Sequence, residues 1–155
     1  MSRAFVKEPD RQDAFEELPE RPISPHPNLV TAEGLAQIET EMTRLQQDHA
    51  AAQAANDRSA LARAARDLRY LNARRAMAEV VPPPSDSTHV HFGSTVSIVR
   101  DDGRRQTFRI VGEDEADPAR GTLSHVAPLA RALFGKQVGD TIQAGQSEAE
   151  IVEIV

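Results

Sequence analysis

A chain of 155 residues with a formal net charge of −6, 4% aromatic residues and no Trp has room for one good core, or for a small domain plus an extended element, but not for two full-sized domains. The acidic balance argues against whole-molecule attraction to DNA or anionic membrane, which depends on neutralising phosphate, and leaves only a local basic patch for nucleic acid. With no Cys there is neither a disulfide nor a thiolate metal site, and without a long apolar run or a signal-peptide core the expectation is a soluble, cytoplasmic monomer.

Residues 1–29, MSRAFVKEPDRQDAFEELPERPISPHPNL, are charged and punctuated by Pro9, Pro19, Pro22, Pro25 and Pro27. Such a segment buries too little apolar surface to offset its ordering entropy. The composition therefore predicts a disordered tail ending in an extended Pro-rich lead-in, with Phe5, Val6 and Phe15 as candidate partner anchors. Thr31 then reads as a helix N-cap, with Glu33 favoured by the positive end of the helix dipole. Leu35, Ile38, Met42, Leu45, His49 and Ala52 follow at alternating intervals of three and four, a heptad seam that calls for one partner helix. After a break at Asn56-Asp57-Arg58-Ser59, the partner shows Leu61, Ala64, Leu68 and Leu71 and runs to about Glu79, before Pro82-Pro83-Pro84. So short a connection makes the helices antiparallel, and residues 30–80 are expected to form a coiled-coil hairpin with its tip near 54–60.

The hairpin is unevenly charged. Its first arm carries Glu33, Glu39, Glu41 and Asp48, its second Arg58, Arg63, Arg66, Arg69, Arg74 and Arg75. One reading is pairing between and within the arms on a solvated surface. The other is an arginine stripe that tracks phosphate or an acidic protein groove, with Arg58, Arg63 and Arg66 as candidate nucleic-acid contacts.

A linker over 81–88 leads into residues 89–155. Strands are expected at about 89–100 and 105–112, joined at Asp101-Asp102-Gly103-Arg104, where Asp-Gly supplies positive φ angles. The acidic loop Glu113-Asp114-Glu115-Ala116-Asp117-Pro118 precedes a short strand at 122–125. A helix from about Pro128 to Leu133 has Pro at its start and Gly135 past its end, and strands near 141–144 and 148–154 follow. The layout is α+β, an antiparallel sheet curled around one short helix.

For chemistry, His89, His91 and His125 lie near Ser94, Ser124 and Asp117 in sequence, but no Gly-x-Ser-x-Gly elbow fixes a nucleophile. His89 and His91 fall on one face of the predicted strand and read as edge histidines ahead of a metal pair. The acidic loop reads as a rigid turn, as a contact surface for a basic partner, or as an oxygen-ligand site lacking EF-hand order. No catalytic residue, metal site or cofactor of the chain's own is assigned.

The Thr-capped hairpin, VHFGSTVSIV, FRIVGEDEADPARGTLSHVAPLARALFGKQVGD and the final EIVEIV together resemble the Gre family of bacterial transcript-cleavage elongation factors, over about residues 30–155. The resemblance implies an N-terminal antiparallel coiled coil joined to an FKBP-like domain. It also implies binding at the secondary channel of RNA polymerase, the globular domain docking on the rim and the coil reaching down the pore, near nascent RNA. Family factors place two tip carboxylates in Asp-x-x-Glu, which help hold the second Mg²⁺ of the polymerase active site. The corresponding run here is Asp57-Arg58-Ser59-Ala60, where Asp57 matches and Ala60 replaces Glu. The interval from Thr31 to Phe92 is also shorter than in the cleavage factors by about ten residues per arm, retracting the tip by roughly 15 Å. Ala127-Pro128 stands where the family has Ser-Pro, a variant that, with the short coil, is similar to Rnk, named as a regulator of nucleoside diphosphate kinase.

The resemblance thus implies an accessory factor that is not itself an enzyme, docking through Glu113, Glu115, Asp117, Ser124, Ala127, Pro128 and Arg131. Weak or no cleavage stimulation follows from the incomplete tip motif. The alternatives are a Rnk-like interaction module or competitor of cleavage factors and, more remotely, an FKBP-like prolyl isomerase, for which Phe92, Phe108 and Phe134 are the available aromatics of the C-terminal half.

Overall fold

The computed structural model describes residues 18–155, so the expected tail anchors Phe5, Val6 and Phe15 lie outside the described residues. The described chain divides into two compact units, one of residues up to Ile23 with Glu39–Ala76, the other of Ser24–Ile38 with Met77–Val155. In chain order the elements are β1 (Leu29–Val30), α1 (Ala32–Ala54), α2 (Arg58–Met77), β2 (Glu79–Val80), β3 (Thr95–Arg100), β4 (Arg105–Val111), a 3₁₀ turn (Pro118–Arg120), β5 (Thr122–Ser124), α3 (Pro128–Leu133), β6 (Thr141–Ala144) and β7 (Ser147–Ile154).

In the first unit α1 and α2 form the hairpin. Met42, Leu45 and Ala52 of the seam are buried, as are Ala64 and Leu71 of its partner. Glu39, early in the first arm, pairs at 3.4 Å with Arg75, late in the second, so the arms are antiparallel. The turn is compact: Asn56 takes a left-handed φ of 51°, and the amides of Asn56 and Asp57 donate to the carbonyls of Gln53 and Ala52 at 3.3 and 2.9 Å. This is the paired stop that closes a helix when one residue turns left-handed, a conformation Asn tolerates better than most. The expected disordered tail needs correcting from Leu18 onward. Glu20 ion-pairs with Arg69 at 2.6 Å and the Arg21 guanidinium lies 3.8 Å over the Tyr70 ring, contacts that charge and proline counts do not foresee.

The second unit holds a five-stranded sheet in the order β5-β4-β3-β7-β6. Val96, Ile98, Ile110, Ala130, Leu133 and Ile151 are fully buried between sheet and α3. The hairpin β3–β4 pairs Thr95 with Arg109 and Val99 with Arg105. The sheet is mixed, not wholly antiparallel, because β5 lies parallel to β4, Arg109 against Thr122 and Val111 against Ser124. The 3₁₀ turn, capped by the Asp117 carboxylate at its start and by Gly121 at φ 80° at its end, brings the chain back to run beside β4 in its own direction. The expected strand from 89 begins only at Thr95. Gly93 takes φ 87°, and Val90 instead exchanges backbone hydrogen bonds with Gly135 and Lys136 just past α3. In the hairpin turn Gly103 alone of Asp102-Gly103 has positive φ.

The C-terminal EIVEIV motif explains itself through a bulge. Ser97 pairs with Glu153 and Ile98 with Ile151, so Val152 is the extra residue. A strict period of two would turn Ile151 and Ile154 to opposite faces. The bulge shifts the phase, and both are buried. A separate two-stranded parallel pairing joins Leu29 to Glu79 and Val30 to Val80, across fifty residues of hairpin, where the sequence suggested only a lead-in and a helix end.

Candidate functional site

The acidic loop after β4 does not spread its carboxylates evenly to solvent. Glu115 turns inward: its Oε2 accepts from the backbone amides of Thr31 at 3.1 Å and Gly112 at 3.3 Å, and its Oε1 accepts from the Thr31 hydroxyl. The same Thr31 hydroxyl accepts from the Gly34 amide at 2.9 Å, which makes Thr31 the N-cap that the sequence predicts. A carboxylate set against the first turn of α1 also meets the positive end of its dipole. Two glycines make room for it. A Cβ on Gly34 would stand 1.9 Å from Glu115 Oε2, and one on Gly112 would stand 2.6 Å from the Leu29 carbonyl oxygen. Glu33 beside the cap has its carboxyl held below the usual range, first by a backbone amide and then by Arg109, whose guanidinium is 3.7 Å away.

The other docking candidates fall into three groups. Glu113 is half-buried in the loop. Asp117 is exposed and accepts from the Ala119 amide at 3.2 Å, capping the 3₁₀ turn. Ser124, half-buried at the end of β5, accepts from the Val126 amide at 3.3 Å and so shapes the entry to α3. Ala127 is the N-cap residue of α3 without a side-chain cap, and Pro128 follows in the first turn. Pro128 and Arg131 are both exposed, and Arg131 Nη2 meets His26 Nε2 of the lead-in at 3.3 Å. The loop and the start of α3 thus present Asp117, Pro128 and Arg131 to solvent while withdrawing Glu115.

His89 and His91, expected on one strand face, lie before β3 and converge on Asp86: His91 Nε2 is 3.0 Å and His89 Nδ1 3.5 Å from Asp86 Oδ2. The Asp86 carboxyl is held far below its ordinary range, first by the Thr88 hydroxyl and then by His91. No group of three or more metal-ligating side chains is found among the described residues. Phe92 is buried with its ring edge-on to His125 at 5.6 Å, and Phe108 and Phe134 pack against the core.

At the hairpin tip the Asp57 carboxylate accepts from the Ala60 amide at 3.0 Å and the Asp57 carbonyl from the Leu61 amide at 2.9 Å, so Asp57 N-caps α2. Replacing it with Ala is expected to cost about 1 kcal/mol, measured as a lower urea midpoint for loss of helical circular dichroism; an unchanged midpoint would remove the capping role. The arginines divide between two flanks. Arg63 donates to Ser59 at 2.6 Å and lines a groove with Asp48, Asp57 and Asp67. Arg58 lines a different groove with His49, Leu61, Ala65 and Arg69. Five helical residues separate Arg58 from Arg63, a rotation of about 140° at 3.6 residues per turn. Arg66 is half-buried and donates to Asp67 at 3.1 Å. Arg74, counted with the stripe from sequence, is fully buried. No single stripe runs down α2.

Residues 85–155 match the family model described as "Transcription elongation factor, GreA/GreB, C-term". Over these residues, somewhat less than half of the chain, it is similar to the GreA/GreB family. The transcription elongation factor GreB of Neisseria meningitidis serogroup B is 41% identical over 95 residues, 57% of this chain and 58% of that protein. GreA of Alkalilimnicola ehrlichii is 43% identical over 94 residues, 56% of this chain and 60% of that protein. The chain thus matches about three-fifths of the length of these curated relatives. Among solved structures, the Gre factor homolog Gfh1 of Thermus thermophilus is 20% identical with a TM-score of 0.41, over 84% of this chain and 99% of that one. A GreA/GreB factor from Nitrosomonas europaea is 23% identical with a TM-score of 0.42, over 83% and 98%. The residues that match the family model comprise the five-stranded sheet, α3 and part of the linker before β3; no helix among the described residues is long and apolar enough to cross a membrane.

Proposed function

We propose that this chain is a transcription elongation factor that binds bacterial RNA polymerase at the secondary channel and regulates elongation with weak or no stimulation of transcript cleavage. The observation that carries the reading is the Gre domain over residues 85–155. Docking runs through the exposed start of α3, Pro128 and Arg131, with Asp117 nearby in sequence on the 3₁₀ turn. The factor is not itself an enzyme. It brings no cofactor, and any hydrolysis belongs to the polymerase, whose Mg²⁺ the tip at most helps to position. The blunted tip motif supports the negative half of the reading, since the Asp57 carboxylate is already engaged as a helix cap and Ala60 offers no oxygen ligand.

The test is co-purification with core polymerase. Binding is expected to survive Asp57→Ala and to fall about tenfold or more when Pro128 and Arg131 are both replaced, on the scale of losing a few kcal/mol at an interface centre. Full retention in the double variant would remove this docking surface. A pull-down that enriches another protein with polymerase absent would favour the Rnk-like interaction module instead.

A further inference from the structure

The start of α1, β2 and the chain after β2 line a cleft of about 290 Å³, with Val80, Val81, Pro82 and Pro83 as apolar walls and Glu33 and Arg109 as charged members. Its walls are fixed by the fold itself. The amides of Glu79 and Val81 donate to the carbonyls of Asn28 and Val30, both at 2.9 Å. Pro82 and Pro83 have their φ angles set by their rings, and Arg109 is held in register with Thr95 of β3 and Thr122 of β5. Val80 is 49% exposed, so the apolar wall is open to solvent. Glu33 and Arg109 bring one full charge of each sign, their nearest atoms 3.7 Å apart, which is longer than a direct hydrogen bond. The Glu33 side chain is 66% exposed and that of Arg109 34%. Exposed ion pairs contribute little, so this one opens at small cost.

We propose that this cleft binds a free aliphatic α-amino acid, its carboxylate on Arg109, its ammonium on Glu33 and its side chain against Val80, Val81, Pro82 and Pro83. The two charges select the ligand. A carboxylate without an amine would satisfy Arg109 but sit against Glu33, and an amine without a carboxylate would satisfy Glu33 but sit against Arg109. An uncharged apolar molecule would strip water from both and pair with neither. A zwitterion that carries both charges on one carbon replaces the single long contact with two charge-assisted hydrogen bonds. Volume sets the size: about 290 Å³ lies just below the roughly 300–1,000 Å³ of pockets that hold drug-sized ligands, which suits a single amino acid and is too small for a nucleotide. The apolar walls favour Leu, Ile or Val side chains over polar ones. All the lining groups belong to the sheet-bearing unit, and binding here needs neither the hairpin tip nor polymerase.

The experiment titrates the full chain with L-leucine by isothermal calorimetry. Saturable binding with a Kd of about 1 mM or tighter is expected, ordinary for so small a ligand. Three analogues dissect the ligand: 4-methylpentanoate lacks the ammonium, 3-methylbutylamine lacks the carboxylate, and glycine lacks the side chain. Each is expected to bind about tenfold or more weakly. Arg109→Gln and Glu33→Gln are each expected to weaken leucine binding by about tenfold or more, whereas Glu148→Gln on β7 leaves it unchanged. The analogue series uses the unaltered protein, so it remains decisive where a substitution disturbs the fold. No saturable binding of leucine, equal binding of any one analogue, or full retention in both charge variants overturns the site. Tighter binding of N-acetyl-leucine amide than of leucine also overturns it, since that blocked ligand carries neither charge and would mark the cleft as a seat for a partner's peptide chain.

Discussion

Glu115→Ala is expected to destabilise the sheet-bearing unit by about 1–3 kcal/mol, the cost of leaving partly buried donors without their acceptor. The amides of Thr31 and Gly112 and the Thr31 hydroxyl all converge on that one carboxylate, and Ala offers none of them a replacement. Gly34→Ala should cost a comparable amount for a linked reason. Its new methyl would fall 1.9 Å from Glu115 Oε2, and the three atoms nearest to it all belong to Glu115, so the methyl can be accommodated only by expelling the carboxylate from its donors. The two changes thus break the same set of hydrogen bonds, and their costs should not add. In the double variant the methyl enters the space that Glu115 has left, and the combined loss should be close to that of Glu115→Ala alone. Urea unfolding with an unchanged m-value measures each leg of the cycle. Strict additivity would mean that Gly34 is required for some reason other than the carboxylate, and the buckle between the acidic loop and the start of α1 would have to be abandoned.

That buckle marks the limit of what the sequence makes legible. Features set by neighbours a few residues apart are read correctly: the Thr31 cap, the break at Asn56-Asp57 between the two helices, the helix from Pro128 to Leu133 and the strand at 141–144. Each depends on a side chain satisfying a nearby backbone group, or on a periodic apolar pattern. Features set by distant partners are not. The parallel pairing of β5 with β4 depends on the 3₁₀ turn, and the pairing of Leu29–Val30 with Glu79–Val80 on contacts across the whole hairpin. The bulge at Val152 can be suspected from two isoleucines three apart, yet only the pairing with Ser97 and Ile98 fixes it. Charge is the least legible of all. Glu113, Glu115 and Asp117 look alike in a sequence, and only the fold turns Glu115 inward to cap a helix 84 residues away. In the same way Arg74 looks like its neighbours but is buried, and Arg58 and Arg63 separate onto two flanks through simple helical rotation.

Backtracked elongation complexes supplied with this protein and Mg²⁺ are expected to release short 3′ RNA fragments at close to the background rate, and the protein is expected to block a cleavage-competent Gre factor added to the same reaction. The first expectation follows from the chemistry of the tip. A second catalytic Mg²⁺ needs oxygen ligands held in place, and loss of a supporting hydrogen bond behind a ligand typically costs about 10–100-fold in metal affinity or activity. In the run that resembles the family's Asp-x-x-Glu tip motif, Ala60 stands where the second carboxylate would be and offers only a methyl group. The remaining carboxylate, Asp57, already accepts the Ala60 amide at 3.0 Å, and turning it toward a metal would uncap α2. The second expectation follows from the proposed docking, since a protein that occupies the same rim through Pro128 and Arg131 excludes a rival without performing its chemistry. The two parts separate cleanly. Rapid cleavage by this protein alone would mean that Asp57 can leave its cap and suffices for metal binding, and the account of the tip would fall while docking stood. Background cleavage with no effect on the added factor would instead remove the shared binding site. Background cleavage with a block that is lost in the Pro128 and Arg131 double variant, but kept in Asp57→Ala, is the pattern expected of the proposed factor, which docks through the start of α3 and lacks a complete pair of tip carboxylates.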